Sequence, residues 1–299
     1  MKIAFIGFGE AARAFAETLG REDDRLVFSA YDILTAGDED RDLRAAALKL
    51  GVAIAESPGA AIDGADWIFS AVTAADSLDA ARSVAAAIAP GQLFIDINSV
   101  SAGRKIETAA IIKASGASYL DMAVMAPVHP RGHRTQVLVA GPDARSAAAV
   151  LDRLGFDHAH AGNAVGDATT IKMLRSLFVK GLEAITVQTL LAAKTAGRYD
   201  EVYASLSSSF AALGWPKFPL YQLERVATHG VRRAAEMRES ARTLAELGFP
   251  EGSDLANAIA DIQQSIGDLG ISAGMGEEVS AAYEAVEKTS REKKRRNSL

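Results

Sequence analysis

Lys2-Ile3-Ala4-Phe5-Ile6-Gly7-Phe8-Gly9-Glu10-Ala11-Ala12 decides how this chain is read. A short strand-like run passes straight into a Gly-x-Gly-x-x-Ala turn, and the turn opens an Ala-rich helical stretch, Glu10 to Leu19. Gly7 permits the tight turn, Gly9 lets the backbone approach an anion, and the small Ala12 lets helix pack closely on strand. The helix N-terminus then offers amide N–H groups and the positive end of its dipole to a pyrophosphate. A glycine turn between strand and helix is common in itself, so the weight comes from the strand and the acid beyond it. The next strand candidate, Leu26 to Tyr31, ends at Asp32, about twenty residues past the glycines, where an acid meets the ribose of a bound dinucleotide.

Outward from that unit, Trp67 to Ala71, Leu93 to Ile97, Tyr119 to Met122 and Val137 to Ala140 also read as strands. Between them Arg41 to Leu50, Ser77 to Ile88 and Ala102 to Ala114 carry apolar residues three and four apart, the helical spacing. A β-α-β-α order predicts an α/β Rossmann domain, a doubly wound parallel sheet, over residues 1–162. The pattern changes near Gly162. Asp167 to Ala196 holds no proline and only Gly181 as an interruption, and Glu201 to Leu213, Val231 to Leu247 and Ser253 to Leu269 come after it as helical stretches. Residues 163–299 are therefore expected to form an all-α C-terminal domain. No fixed-period repeat is present, which removes solenoids.

Composition bounds the rest. A chain of 299 residues favours two domains, and 49% hydrophobic with 23% charged residues is an ordinary globular balance that excludes a disordered chain. A net charge of −6 opposes a nucleic-acid partner, which calls for a basic face. The basic run Arg291 to Arg296 reads as a solvated end. With no cysteine, thiolate catalysis, disulfides and Cys-based zinc sites are impossible. The first apolar run is too short for a signal peptide or a membrane span, and no later uninterrupted apolar stretch reaches bilayer length; the expectation is a cytoplasmic protein with no membrane partner.

Together these features resemble the β-hydroxyacid dehydrogenase and 6-phosphogluconate dehydrogenase-like superfamily over nearly the whole chain. Asp96-Ile97-Asn98-Ser99 looks like the family's segment beside the nicotinamide. Asp121-Met122-Ala123-Val124-Met125-Ala126-Pro127 stands where the family has Asp-x-Pro-Val-Ser-Gly-Gly against the substrate. Gly166-Asp167-Ala168-Thr169-Thr170-Ile171-Lys172 resembles the glycine-to-lysine segment that opens the interdomain helix. The resemblance implies that Lys172 is the catalytic lysine. It places NAD, with NADP as the alternative, on Gly7, Phe8, Gly9, Glu10, Ala11, Asp32, Val72 and Asn98. It gives Ser99, Met125, Ala126, Pro127, Arg131 and Ser176 to a small-molecule substrate. It also implies an active site in the cleft between the domains and a homodimer built on the helical halves. Two departures stand out: Met125-Ala126-Pro127 replaces the carboxylate-binding Ser-Gly-Gly, and Ser176 replaces an Asn. Such replacements look like the subgroup whose C-terminal helical domain has no assigned function.

Lys172 also has a reading of its own. It sits in the apolar run Ile171-Lys172-Met173-Leu174, where burial would lower its pKa toward the range a proton-transferring amine needs; the structural alternative is a surface lysine on an amphipathic helix. The loop His129 to Arg134 gathers four cationic side chains that fit an anionic group or simply solvent, with Arg131 and Arg134 the better partners for such a group. His158 and His160 alternate on a strand, but no third metal ligand is evident, so no metal is expected. Trp215, Phe218 and Tyr221 are pocket or core aromatics. The function expected is a nicotinamide-dependent oxidoreductase acting on a hydroxylated small metabolite. An imine reductase, whose usual departure is loss of the lysine, and a non-catalytic NAD(H) sensor or scaffold are the alternatives.

Overall fold

Ile3 and Phe5 of β1 (Lys2–Ile6) enter one hydrophobic cluster while Ala4 and Ile6 enter another, and all four are buried. A strand buried on both faces belongs to a sheet with helices on both sides. The computed structural model describes residues 1–36, 40–271 and 279–297 and shows that sheet. After β1 come α1 (Glu10–Glu22), β2 (Val27–Tyr31), α2 (Asp40–Lys49), β3 (Val52–Ile54), α3 (Pro58–Ile62), β4 (Trp67–Ser70) and α4 (Ser77–Val84). Next are β5 (Leu93–Asp96), α5 (Ala102–Ala114), β6 (Ser118–Val124), β7 (Val137–Ala140), α6 (Ala144–Arg153) and β8 (His158–Gly162).

The strands lie in the order β3-β2-β1-β4-β5-β6-β7-β8, and each neighbouring pair is parallel except β6 with β7. The first six follow the dinucleotide-binding order, which reverses beside β1 and opens a crevice at the carboxyl ends of β1 and β4. The doubly wound parallel sheet expected from sequence is present with one antiparallel pair: no α-helix crosses over between β6 and β7, so the chain returns antiparallel. β3, α3 and α6 had no counterpart among the strand and helix candidates; β3 has only three residues and α3 five, too few to show a period.

Under one face Phe69 packs on Phe5 with ring centroids 5.7 Å apart and meets Phe15 edge-on at 5.8 Å. Under the other, Phe94 stacks on Tyr119 at 6.0 Å.

The chain divides into compact units Met1–Met173 and Leu174–Leu299. That division falls inside α7 (Asp167–Thr195), later than the 162/163 boundary read from sequence. Ala168 packs against Ala123 and Ala140, and Thr169 bonds to Val100 and Asp121, which ties the first turns of α7 to the sheet unit.

The second unit holds the rest of α7 with α8 (Tyr199–Ser209), α9 (Lys217–Glu246), α10 (Pro250–Gly267) and α11 (Val279–Asn297). α9 begins at Lys217, well before the expected Val231, because Pro219 falls in its first turn, where no intrahelical N–H bond is lost. α9 and α10 approach at Gly230 and Gly267: a Cβ on Gly230 would lie 2.3 Å from the Gln263 carbonyl oxygen. The basic run read as a solvated end falls within α11, and its side chains from 293 onward lie outside the described residues.

By length and composition α7 is apolar enough to cross a membrane, although charged residues interrupt it, as the expectation of no uninterrupted apolar stretch of that length requires. Its charges argue for a bundle helix instead. Glu183, buried, holds Arg233 of α9 and accepts from Gln263 Nε2 at 3.0 Å, and Lys180 pairs with Glu236 of α9 at 2.8 Å.

Candidate active site

The glycine turn is shaped by its neighbours. Gly7 has φ +86°, and a Cβ there would meet the Ala71 carbonyl oxygen at 2.5 Å and Val72 Cγ1 at 2.7 Å, so only glycine fits. Around Gly9 a Cβ would meet nothing within 4 Å, and Gly9 caps α1 without a side-chain bond. Open space at an uncapped helix N-terminus is what a pyrophosphate requires, so the turn fits a dinucleotide.

Asp32 follows β2 and its carboxylate accepts from Phe8 N at 2.7 Å and from Leu34 N at 3.0 Å. The acid at the ribose position thus also fixes the glycine turn. Ile33 and Leu34 beyond it are 67% and 46% exposed, an apolar surface beside the same site. Glu10 is exposed and Ala11 half-buried at the start of α1.

Two residues read as cofactor contacts are corrected. Phe8 is fully buried in the core under Arg13, and its N–H is taken by Asp32, so it offers a ligand neither ring nor amide. Asn98 is buried too: its Oδ1 accepts from Val72 N at 2.8 Å and its Nδ2 donates to Ser70 Oγ at 2.9 Å. Asn98 therefore ties the tips of β4 and β5 together, and Val72 is held by the same bond.

Ser99 and Lys172, distant in sequence, meet. Lys172 is half-buried and its Nζ donates to Ser99 Oγ at 2.6 Å. The start of α7 is held by further bonds: Thr169 Oγ1 donates to the Val100 carbonyl at 2.6 Å, while Gly166 N and Thr169 N donate to Asp121 Oδ2 at 3.1 and 3.2 Å.

Behind this lies a group of buried charges that the motifs did not single out. Lys105 of α5 is fully buried, with Nζ 3.0 Å from Asp96 Oδ1 and 3.4 Å from Asp121 Oδ1. Tyr119 OH donates to Asp96 Oδ2 at 2.8 Å. Burial pushes the Asp121 carboxyl above its usual range, against the pull of Lys105 and of the α7 amides, and it holds the Tyr119 phenol well above its usual value. The signal for Lys105 was present: it stands four residues before Ala109 and seven before Ile112, on the face that packs into the core. Its charged neighbours Arg104 and Glu107 disguised it.

At the end of β6, Met125 is half-buried against the cluster of Ala123, Ala140 and Ala168, and Ala126 and Pro127 are exposed. The cationic loop after them carries its two arginines to different partners. Arg134 pairs with Glu22 in the last turn of α1, about 18 Å along that helix from the glycine turn. Arg131 pairs with Asp157 at 3.4 Å, beside the start of β8, at the same end of the sheet as Val124, since Val124 pairs with Val137 and Val137 with His158. Arg134 is thereby held away from the glycine turn, while Arg131 stays at the end of the sheet where β6 ends. His133 is buried against Phe156, with its ring on Thr18 Oγ1 at 2.7 Å.

Within the second unit Ser176 Oγ accepts from Lys180 Nζ at 2.6 Å. Burial lowers the pKa of that lysine, and Glu236 opposes the shift. Trp215 meets Tyr203 edge-on at 5.1 Å and lies 5.8 Å from Phe218, while Tyr221 stays exposed. His158 and His160 line one hollow with Arg145 of α6, and His158 Nε2 is held by Asp152 at 2.9 Å.

Comparison with known proteins fits this geometry. Residues 2–99 match a family model described as NADP oxidoreductase, coenzyme F420-dependent, and residues 193–266 match a domain of unknown function, DUF1932. A conserved hypothetical protein from Sinorhizobium meliloti 1021 is 32% identical, with a TM-score of 0.73, over 98% of this chain and 96% of its own. The chain belongs to the 6-phosphogluconate dehydrogenase-like superfamily, in the subgroup with that helical C-terminal domain. Conserved protein MTH1747, of unknown function and described as structurally similar to 3-hydroxyacid dehydrogenases, is 26% identical over 91% of this chain and 100% of its own, TM-score 0.68. A 3-hydroxyisobutyrate dehydrogenase of Mycobacterium tuberculosis shares the fold at TM-score 0.72 and 19% identity, over 95% of this chain and 98% of its own. Within this superfamily the N-terminal unit is an NAD(P)-binding Rossmann domain of oxidoreductase type.

Proposed function

We propose that the protein is an NAD-dependent dehydrogenase or reductase acting on the CH–OH group of a small metabolite, with Lys172 as general acid–base. The observation that carries this is the Lys172–Ser99 contact at the carboxyl end of β5, on the edge of the sheet that also carries the glycine turn. When bound, the nicotinamide supplies or accepts the hydride. In oxidation Lys172, neutral, takes the hydroxyl proton as the carbinol C–H bond breaks, and it gives that proton to solvent afterwards; in reduction it delivers the proton to the forming hydroxyl. Ser99 Oγ accepts from Lys172, which leaves its own hydrogen for the substrate oxygen. Asp32 and the Gly7–Gly9 turn hold the dinucleotide, and Asn98 keeps the strand tips in register.

Met125 and Ala126 stand where a carboxylate would otherwise be held, and Arg131 and Arg134 are engaged by Asp157 and Glu22, so the preferred substrate is larger or less acidic than a simple hydroxy acid. A homodimer through the helical half belongs to the same reading, supported by Phe178 and Ile185 of α7, which are 74% and 63% exposed. Light scattering tests the dimer.

The activity is tested by following NADH production over short aliphatic hydroxy acids, bulkier and aromatic alcohols, and cyclic amines. Turnover of bulkier alcohols is expected. Activity confined to the short acids overturns the substrate class, oxidation of amines alone overturns the CH–OH assignment, and tight NADH binding without any turnover points to a sensor.

A further inference from the structure

Two carboxylates and one ammonium lie fully buried behind the site, and the acid–base reading of Lys172 does not use them. Asp96 and Asp121 face each other in register on β5 and β6, and Lys105 reaches both from α5. Such a group is costly unless each member is matched, and breaking one by removing a partner leaves an uncompensated charge. Each carboxylate has a second engagement that leads toward the site. Asp96 Oδ1 accepts from Asn98 N at 2.9 Å. Asp121 Oδ2 takes the amides of Gly166 and Thr169, the positive end of the 29-residue helix that carries Lys172 one turn later. Asp121 Oδ1 has no hydrogen bond in the structure, and Lys105 is the cation that faces it.

We propose that Lys105 is a positioning residue: through Asp121 it fixes where α7 begins, and so where Lys172 meets Ser99. The inference rests on the assignment of Lys172 as the acid–base group. The groups facing Asp121 are Lys105 from α5, Asp96 from β5, Tyr119 from its own strand through Asp96, and the two amides of α7. Without the ammonium, two carboxylates remain with no counter-charge and one must take a proton. Asp121, already raised by burial, is the one that yields, and its hold on the α7 amides weakens. An Asn at position 121 cannot replace it while Lys105 is present, since an amide has one oxygen and both oxygens of Asp121 face donors. With Lys105 changed to methionine that conflict is gone, and the Asn oxygen is left to the helix.

The test uses Lys105→Met and Lys105→Met/Asp121→Asn in the full chain, beside Lys172→Met. Hydrogen exchange of segment 164–175, read without substrate, is expected to speed up about 10-fold in Lys105→Met. Its kcat is expected to fall about 10- to 100-fold, the scale of a misplacement near 1 Å, with NAD affinity unchanged. The acid limb of its kcat profile moves to higher pH, because Asp121 protonates sooner. In the double variant exchange, kcat and the acid limb all move back toward wild type, a recovery that general destabilisation would not produce. Unchanged exchange in Lys105→Met overturns the proposal. So does faster exchange with unchanged kcat, or a double variant worse than the single one. Wild-type turnover by Lys172→Met overturns the acid–base assignment and this role with it; the substrate-free exchange tells that failure from a failure of the anchor.

Discussion

Lys172 Nζ donates to Ser99 Oγ across 2.6 Å, so the helix that opens at Asp167 reaches the loop that follows β5 through this amine as well as through Thr169 Oγ1 on the Val100 carbonyl. Replacing Lys172 with methionine keeps the stem and deletes the titrating amine. Turnover of any alcohol the protein oxidises should fall by roughly 10² to 10⁴, the usual worth of general acid–base catalysis, while NAD still binds. Ser99→Ala should cost less, on the order of 10-fold, because the amine remains and only its partner is lost. Steady-state kinetics with a calorimetric check of NAD binding decides it: near wild-type rates in Lys172→Met would make the lysine structural.

Asp32 accepts from Phe8 N and Leu34 N, which uses two of the roughly four acceptor positions of a carboxylate. The remainder suit the ribose hydroxyls of NAD, whereas the 2′-phosphate of NADP would meet a like charge. NAD should bind about 10- to 100-fold tighter than NADP, the equivalent of one or two charged hydrogen bonds. Asp32→Asn should shrink that gap. Titration of both cofactors is the check, and equal or tighter binding of NADP by the native protein would rule the preference out.

The glycine turn and Asp32 were legible because each rests on local chemistry, a backbone that needs glycine and an acid at the end of a strand, whereas the meeting of Lys172 with Ser99 joins residues 73 apart and had no local signal. What stayed hidden depended on where side chains turn after folding. Asn98 and Phe8 occupy motif positions, yet they point into the protein, since the strand tips and the core need them more. Arg131 and Arg134 come after the substrate segment in sequence, but the loop carries them toward α1 and β8, where Asp157 and Glu22 meet them. The helical half showed its elements through breakers, yet α9 was read from Val231 and not from Lys217, because Pro219 falls in its first turn and Gly230 stands just before Val231.

His133 gives a pH dependence with a definite sign. It is buried, and desolvation, helped by Arg134, lowers its pKa below the ordinary value of 6.5. Between that lowered value and 6.5 the unfolded chain binds more protons than the folded one, so this histidine's contribution to stability falls as pH falls through the window. Thermal unfolding midpoints measured above and below it should drop more on acidification in the native protein than in His133→Gln, other groups being common to both. An equal drop in the two proteins would show that His133 titrates as it does in the unfolded chain.

Gly9 and Gly230 should answer differently to the same substitution. A Cβ on Gly9 meets nothing within 4 Å and its φ of −79° suits any residue, so Gly9→Ala should leave the melting temperature unchanged. The methyl would project into the space assigned to the pyrophosphate, so NAD affinity should fall by about 10-fold or more, the loss of roughly one good contact. At Gly230 a Cβ would lie 2.3 Å from the Gln263 carbonyl oxygen and 2.8 Å from Gly267 Cα, so α9 and α10 must separate. Overpacking of this kind costs about 1–3 kcal/mol, and the melting transition of the helical half should fall by several degrees with NAD affinity intact. Calorimetric melting and cofactor titration of both variants separate a ligand-facing glycine from a helix-crossing one. A Gly9→Ala variant that binds NAD normally would remove the pyrophosphate from the space above the turn.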